Sequence, residues 1–439
     1  MQYTQEWVGD FLLLFRDSNV LPRGRDGSIW NQELEKPTGK LFLTKPTQNW
    51  KGSPFSHWQE GECEYWQFGL VWGDKPKSGP HDWQGNFALL GFNSRTQHWH
   101  VWTNRLATFH VYYAYLGKCL ALGSYSPAVN SVGNFHLDYE ALAGFFLFGF
   151  FPQNQTYYEE VKIIEPSVHM ELDGEGNMIQ QTRQWYWQRQ VNQGRTFNQT
   201  VDDFAQIFNQ IIHEQVEGRK VAFPISGGLD SRSTIASLNP DVSKRIWSYS
   251  YGYAENSIET KIAEQIARKR NLEFSKFIIK PYLFSKLGMI LDCVEGFQDV
   301  TQCRQASVTE EISAHADYVM AAHWGDVWLD DMGLNAESYP MSEENFLRNA
   351  YKKFHKNGDW LFQEICRPNL PDVDSVDYIN RILEREIATV NTIEEPDFRL
   401  KALKTETWSF RWTTASIRMY QPGGFPLLPF YDPLIVDFF

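Results

Sequence analysis

The chain has 439 residues, more than one hydrophobic core usually supports, which predicts two domains and excludes a small scaffold stapled by disulfides. Its 41 Lys and Arg against 54 Asp and Glu give a formal net charge of −13. That charge repels phosphate backbones and anionic lipid, so neither nucleic acid nor a membrane surface is expected as a partner. Five cysteines without a CxxC pair indicate no disulfide framework and no cysteine zinc site, and they favour a reducing cytoplasm.

Two features bear on targeting. The first residues, MQYTQEW, contain no basic stretch followed by an apolar one, so no secretory signal is expected. The longest apolar run, at 141–151, has only eleven residues before Pro152, too few to span a membrane. The sequence therefore predicts a cytoplasmic protein.

Short apolar runs separated by turn signals dominate the first 190 residues. Runs at 86–92, 99–103, 108–115 and 118–124 recur at about ten-residue spacing and predict strands of an antiparallel sheet. One helix is predicted at 139–150. The polar stretch 188–199 predicts a linker between a first domain, 1–190, and a second, 200–439, with Thr200 and Asp203 expected to cap the next helix, whose apolar face starts at Val201.

The second half alternates strand and helix patterns. Strands are predicted at 221–225, 245–251, 273–279 and 317–322, with helices between them from about residue 230, at 258–270 and in a stretch to about 316. Residues 343–419 are predicted to be mostly helical. Such alternation indicates a doubly wound parallel sheet.

The first of these strands runs directly into the sequence SGGLDS, residues 226–231, and a helix is predicted to follow. Glycines there let the backbone close around phosphate oxygens, and the two serines add hydroxyl donors at a helix N-terminus. A carboxylate is repelled by phosphate, so Asp230 fits an anion loop chiefly if it holds a magnesium ion shared with a nucleotide. The alternative is a glycine turn in which Asp230 is a simple helix-start charge.

SGGLDS resembles the PP-loop of the N-type ATP pyrophosphatases, and its surroundings resemble the asparagine synthetase family. The sequence YSYG at 249–252 is similar to that family's FSxG segment, and PFYDP at 429–433 is similar to its PFLD segment. Residues 138–173 and the YW pair at 186–187 resemble the end of the family's glutaminase-type domain. The resemblance implies an N-terminal antiparallel-sheet Ntn-hydrolase-like domain, then a PP-loop (adenine nucleotide α-hydrolase-like) domain with a helical C-terminal part.

The resemblance also implies an activity: adenylation of a carboxylate by ATP with pyrophosphate release, followed by attack of an amine. Aspartate is the default substrate by resemblance. Asp230 and Asp326 are expected to be catalytic and to hold Mg²⁺, because Gly325 and Asp326 match the Gly-Asp pair of the family's second carboxylate loop. Val327 stands where the family has Glu, so a register through Asp330 or Asp331 stays open. The expected ATP-binding residues are Ser226, Gly227, Gly228, Leu229, Asp230, Ser231, Ser250, Gly252 and Gly325.

Two family features are missing. Glutamine-hydrolysing relatives use an N-terminal cysteine, whereas position two here is Gln2 and Cys63 is internal, so the first domain is expected to be a degenerate amidotransferase-like remnant. The family also continues past PFLD with a lysine-bearing segment, whereas this chain stops at Phe439. The second domain is therefore expected to be incomplete, or that role is lost or moved, and neither Lys401 nor Lys404 can be assigned to it from sequence.

Four functions follow as hypotheses. The leading one is an asparagine synthetase-like ligase that takes ammonia or another amine, and possible partners are a small-molecule or peptide carboxylate and a second copy of the chain. The second is a tailoring amide synthetase of the β-lactam synthetase or lasso-peptide cyclase type, which needs no ammonia. The third is a nucleotide-binding protein without turnover. The fourth, a transfer-RNA-modifying PP-loop enzyme, is disfavoured by the net charge.

Overall fold

The computed structural model describes residues 9–15, 24–25, 30, 32–44, 54–117, 119–189, 194–334, 340–356 and 358–439. Three sheets organise this part of the chain: two antiparallel sheets of six strands each and one parallel sheet of five strands. No helix within these ranges combines the length and the apolar character that crossing a bilayer requires.

The two antiparallel sheets pack face to face. Their strands are β1 Phe11–Leu14, β2 Gln32–Lys36, β3 Gly39–Leu43, β4 Phe55–Glu60, β5 Cys63–Val71, β6 Gly85–Asn93, β7 Trp99–Thr103, β8 Tyr112–Leu116, β9 Cys119–Gly123, β10 Val161–Ile163, β11 Val168–Leu172 and β12 Met178–Arg183. The sheet orders are β10-β8-β9-β1-β3-β2 and β12-β11-β7-β6-β5-β4. Buried side chains from both sheets, among them Phe11, Phe68 and Trp99, fill the space between them. The antiparallel prediction for this half is therefore confirmed.

Two helices, α1 Ser126–Asn130 and α2 Tyr139–Phe148, belong to the same half. Helix α2 begins where predicted because the Asp138 carboxylate accepts the Ala141 amide, and it ends two residues earlier than predicted because Gly149 adopts a left-handed conformation. The strand predicted at 108–115 starts only at Tyr112. The Asn104 side chain accepts the Thr108 amide at 2.9 Å, and this local turn replaces the start of the strand.

The five parallel strands lie in the order β15-β14-β13-β16-β17. They are β13 Val221–Pro224, β14 Ile246–Gly252, β15 Glu273–Ile278, β16 Tyr318–Met320 and β17 Phe425–Leu427, and the helices between the first four are α4 Leu229–Ala236, α5 Ile258–Lys269, α6 Leu287–Val294 and α7 Thr309–His315. The strand order reverses at β13, so the carboxyl edge of this central strand is the topological switch point where open α/β sheets bind ligands. The doubly wound prediction is confirmed, and β17 is a fifth strand that the pattern did not reveal.

The helix that precedes the parallel sheet, α3 Phe197–Val216, begins earlier than predicted. Thr196 and Gln199 form a capping box, in which the Thr196 hydroxyl accepts the Gln199 amide. The prediction that Thr200 and Asp203 cap this helix is wrong, because both lie inside it. Val201 is also 48% exposed, so the buried face begins further along the helix.

The remaining helices are α8 Gly325–Leu329, α9 Glu343–Phe354, α10 Asp359–Leu361, α11 Ser375–Ala388, α12 Pro396–Lys404, α13 Thr414–Arg418 and α14 Pro433–Phe438, with π-helical turns at Phe362–Cys366 and Thr405–Thr413. Short 3₁₀ turns lie at Pro80–Asp82, Pro240–Arg245, Val300–Gln302, Arg304–Val308 and Pro429–Tyr431. The predicted helical character of 343–419 is confirmed.

The antiparallel and parallel halves are joined through buried polar contacts. Arg25 donates to Asp10 at 2.7 Å and to Glu295 at 3.0 Å, and Arg418 donates to the same Glu295 oxygen at 2.7 Å. These side chains are almost fully buried, which such charges tolerate only when they are paired.

A second contact joins the first half to the C-terminal segment. The Trp72 indole donates to the buried Asp432 carboxylate at 2.8 Å, and Gln84 donates to it at 3.1 Å, while Asp432 also caps α14. One hydrophobic cluster takes residues from both halves, Trp72 and Phe208 among them. The antiparallel sheets end before residue 190 and the parallel sheet begins after it, as the predicted division requires. The hydrophobic core is nevertheless continuous across this point, and the domain bounds 1–190 and 200–439 stay a prediction.

Candidate functional site

The loop between β13 and α4 is closed by its two serines. The Ser226 amide donates to the Ser231 hydroxyl at 3.0 Å, the two hydroxyls lie 3.0 Å apart, and the Gly228 amide donates to the Ser226 hydroxyl at 3.1 Å. No side chain caps the start of α4. The loop therefore presents hydroxyls and the first amides of a helix toward the cleft beside it, which is the arrangement that binds anionic oxygens.

Asp230 meets the loop that follows β16. Its carboxylate accepts the Asp326 amide at 3.2 Å, although the two residues are 96 positions apart. Burial, then the charge of Asp326 and lastly that of Asp330 raise the pKa of Asp230, while the hydrogen bond from the Asp326 amide lowers it, and the resulting pKa is about 6. Because the ionised form of Asp230 is disfavoured here, a cation between these carboxylates would relieve the repulsion.

Gly325 makes that approach possible. A Cβ atom at this position would lie 2.7 Å from Asp230 Cγ and 2.7 Å from Phe430 Cζ, closer than van der Waals contact permits. The preceding residue, Trp324, has a φ of 80°, an uncommon conformation for a bulky side chain. Its indole nitrogen donates to the Thr405 hydroxyl at 3.1 Å, which anchors the turn.

These elements border a cleft of about 670 Å³ at the carboxyl edge of the parallel sheet. Tyr251, Tyr420 and Arg304 are also among its lining residues. Burial raises the pKa of Tyr251 to about 12, so its hydroxyl stays protonated at neutral pH. No carboxylate within the described ranges forms an ion pair with Arg304, which leaves its guanidinium available to an anionic ligand.

Most of the predicted site residues meet in this cleft. Its walls include Ser226, Gly228, Leu229, Asp230, Ser231, Ser250, Gly252 and Asp326. Gly227 and Gly325 do not line it: Gly227 faces Glu259 and Ile262 of α5, and Gly325 packs beneath Asp230.

The loop after β16 contributes two carboxylates to the cleft. Asp330 lines it together with Asp326, whereas the Asp331 carboxylate accepts the Gly333 amide at 2.7 Å. Val327 is buried in the core, so the position that is acidic in the resembled family points away from the cleft. The register through Asp326 therefore brings one carboxylate to Asp230, and Asp330 adds a second.

Several lining residues were not found from the sequence. Arg304 and Tyr420 come from irregular segments without a periodic signal, and nothing in their local sequence marks them. His323, two residues before Gly325, also lines the cleft. Burial lowers the pKa of its ring to about 4, so the imidazole is neutral at pH 7.

The carboxylates of Asp230 and Asp326 can be compared with the ligands that a magnesium ion requires. Magnesium is bound through one or two carboxylates together with substrate phosphates, and Asp230 with Asp326 beside an anion loop provides that donor set. Within the described residues no group of three or more His, Cys, Asp and Glu side chains is arranged to hold a metal by itself. The residues thus fit a magnesium ion that arrives with a nucleotide.

The first half provides less support for a functional site. Gln2, the position of the family's nucleophile, lies outside the described residues. Cys63 is a free, half-buried cysteine at the start of β5, paired across the hairpin with Glu60. The cavity that Asp10, Arg25 and Arg418 line between the halves is about 20 Å³, room for a single water molecule.

No protein-family model matches the chain, and no curated protein matches it. Among solved structures it is similar to the glutamine-dependent NAD⁺ synthetase from Acinetobacter baumannii in complex with ADP, at 13% identity over 57% of each chain and a TM-score of 0.20. It is also similar to the allosteric regulatory enzyme of purine biosynthesis, at 8% identity over 66% of this chain and 86% of that one, with a TM-score of 0.24. The chain spans little more than half the length of the synthetase, and scores this low carry no argument about activity.

Proposed function

We propose that this chain is an asparagine synthetase-like, ATP-dependent ligase that activates a carboxylate as its adenylate and forms an amide with ammonia or another amine. The observation that carries the proposal is the contact between Asp230 and Asp326 beside the SGGLDS loop, at the carboxyl edge of the parallel sheet. Two carboxylates that repel one another need a cation, and the loop beside them needs an anion. A nucleoside triphosphate with its magnesium ion supplies both.

The proposed chemistry has two steps. A substrate carboxylate oxygen bonds to the α-phosphorus of ATP while the bond to the β-phosphate oxygen breaks, releasing pyrophosphate. An amine then bonds to the acyl carbon, AMP leaves, and the amine loses a proton. Magnesium, when bound, would neutralise charge on the departing pyrophosphate.

The chain's own groups have distinct roles in this proposal. The hydroxyls and amides of residues 226–231 bind the phosphates, and Ser250 and Gly252 border the nucleotide from the neighbouring strand. Arg304 is free to bind the carboxylate or a phosphate, because no described carboxylate neutralises it. The neutral His323 ring can accept a proton from an attacking amine, although its low pKa makes it a weak base.

A specific observation favours the tailoring ligase over aspartate as the substrate of this site. Leu229, Tyr253 and Leu329 line the cleft and are 65%, 68% and 44% exposed. Exposed apolar side chains at a cleft mouth suit a carboxylate carried on an apolar body, such as a peptide, better than a small polar amino acid.

Exchange of labelled pyrophosphate into ATP, with Mg²⁺ and a panel of carboxylates, tests the proposal directly. The panel holds aspartate, other amino acids, apolar peptides and cell extract. Exchange with aspartate supports the asparagine synthetase-like ligase, and exchange only with peptides or extract supports the tailoring enzyme. ATP binding without exchange under any of these conditions would favour the non-catalytic alternative.

The matched variants are Asp230→Asn, which should lose exchange, and Asp331→Asn, which should keep it. Asp331 is the appropriate control because it lies in the same loop region but bonds to Gly333 rather than lining the cleft. Full exchange by the Asp230 variant would remove the metal role from the proposal.

A further inference from the structure

Trp324 turns the chain toward Asp326 and is held there by a residue outside its own loop. Its φ of 80° is unfavourable for a bulky side chain, and such a conformation persists only where the surroundings fix it. The indole nitrogen donates to the Thr405 hydroxyl at 3.1 Å, and both side chains are buried. If that bond were lost, the backbone could relax toward negative φ. The Asp326 amide, two residues further along, would then move away from the Asp230 carboxylate.

Thr405 is the first residue of a helical segment with an unusual register. Residues Thr405–Thr413 are π-helical and continue α12 without a break, and the Thr414 amide after them donates five residues back, to the Ser409 carbonyl. π-Helical turns are rare, are mostly a single turn long and are frequent at functional sites. A π-helix of nine residues therefore depends on contacts with the rest of the fold. We refer to residues 405–413 as the π segment.

The π segment supports Trp324 at a second point. The Ser409 and Tyr431 hydroxyls lie 2.7 Å apart in the core, and the centroid of the Tyr431 ring lies 6.5 Å from that of the Trp324 ring. Thr405 and Ser409 are four positions apart, so their side chains belong to one face of the helical segment. That face supports the wall of the cleft to which Trp324 belongs.

The first half of the chain also binds the π segment. The carboxylate of its second residue, Glu406, accepts the Trp187 indole at 2.5 Å, and Arg183 donates to the same oxygen. The His110 ring donates to the Phe410 carbonyl at 2.7 Å. Glu406 and His110 are both buried, so these bonds are protected from water. The first half therefore fixes the segment that supports the wall of the cleft.

We propose that Thr405 is a positioning residue for the carboxylate site, and that the first half of the chain secures it through Glu406. Thr405 is not a wall residue of the cleft. It acts through Trp324, whose conformation brings Asp326 to Asp230. The inference rests on the proposed function, which it deepens: even where the first half has no chemistry of its own, it is needed for metal binding in the second.

Hydrogen–deuterium exchange of the full chain, without nucleotide or metal, measures the positioning directly. Thr405→Val keeps the shape of the side chain and removes the hydroxyl, so the backbone amides of residues 324–330 should exchange about fivefold faster than in wild type. Mg²⁺-dependent ATP binding, measured by calorimetry, should weaken by a similar factor. Thr405→Ser keeps the hydroxyl and should restore both values.

Thr407→Val is the matched control within the π segment. The Thr407 hydroxyl donates to the Leu403 carbonyl at 2.6 Å, just as the Thr405 hydroxyl donates to the Lys401 carbonyl at 2.8 Å. The control therefore removes an equivalent buried bond and leaves the acceptor of Trp324 in place. Its exchange at residues 324–330 and its Mg²⁺-dependent ATP binding should equal those of wild type.

The role of the first half is tested by Arg183→Met, which removes a donor to Glu406. Exchange should become faster both in the π segment and at residues 324–330. The control is Arg381→Met, which breaks the 2.6 Å ion pair between Arg381 and Glu140, a contact that also joins the halves but does not involve the π segment. This control should leave the exchange of residues 324–330 unchanged.

The proposal is overturned if residues 324–330 exchange no faster in Thr405→Val than in Thr407→Val, or no faster in Arg183→Met than in Arg381→Met. It is also overturned if Thr405→Ser behaves like Thr405→Val, or if faster exchange leaves Mg²⁺-dependent ATP binding at wild-type strength. Failure of the proposed function would look different, because the wild-type protein would then show no Mg²⁺-dependent ATP binding, whereas the exchange measurement needs neither ligand.

Discussion

The substitution Asp230→Asn should make the protein more stable and less active. The pKa of Asp230 rises from 3.8 to about 6 on folding, chiefly through burial and then through the charge of Asp326. A shift of that size corresponds to about 3 kcal/mol for a fully buried carboxyl. Because Asp230 is only half-buried, solvent screening reduces the expected effect to about 1 kcal/mol.

The sign of this effect depends on pH. Between about pH 4 and 6 the folded protein holds a proton on Asp230 that the unfolded chain has released, so the free energy of unfolding falls as the pH rises through this window. The neutral asparagine has no such cost, and its amide oxygen can still accept the Asp326 amide. The gain should therefore be complete at pH 8 and shrink toward pH 4.

Urea denaturation at pH 8 and near pH 4.5, without magnesium, measures the gain as a shift of the unfolding midpoint. Asp331→Asn is the control, since it removes an equal charge outside the cleft. Added Mg²⁺ and ATP should stabilise the wild-type protein but not the Asp230 variant, because only the former binds the metal. An Asp230 variant that is less stable than wild type at pH 8 would refute the reasoning from carboxylate repulsion.

Gly325→Ala should destabilise the fold by about 1–3 kcal/mol and weaken Mg²⁺ binding, because the new methyl group would overlap Asp230 and Phe430. The melting temperature measures the first effect and a metal titration the second, and unchanged values would contradict this packing. Burial raises the pKa of Glu386 to about 7, so Glu386→Gln should stabilise the protein by about 3 kcal/mol at pH 8. The gain should fade toward pH 4.5, and urea unfolding midpoints at the two pH values would show it. Cys63→Ser should leave any amide synthesis unchanged, and a selective loss of glutamine-dependent activity in that assay would contradict the degenerate first half.

The meeting of Asp230 and Asp326 was predictable from sequence. Each follows a strand of the same parallel sheet, and parallel strands bring their carboxyl ends to one edge whatever the separation along the chain. The conformation of the 226–231 loop was also predictable from its glycines and serines, because small residues and hydroxyls suit a turn that exposes backbone amides.

Other features had no sequence signal. Arg304 lies among short 3₁₀ turns, where position depends on tertiary packing rather than on periodicity. Strand β17 contains Pro426 and has only three residues, so its local sequence is typical of a loop and its pairing with β16 depends on the fold around it. The start of α3 was misplaced because Thr196 and Thr200 offer equivalent capping hydroxyls, and only the capping box with Gln199 distinguishes them.

The contact of Trp72 and Gln84 with Asp432 has a consequence for how substitutions in this lineage should be interpreted. Asp432 is fully buried, and it follows the segment whose Phe430 packs against Gly325 beneath the cleft. Selection on the second half therefore reaches into the first, whether or not the first retains chemistry of its own. Invariance of Trp72 among relatives would report this mechanical dependence, and only residues of the first half that are distant from the shared core could report an independent activity.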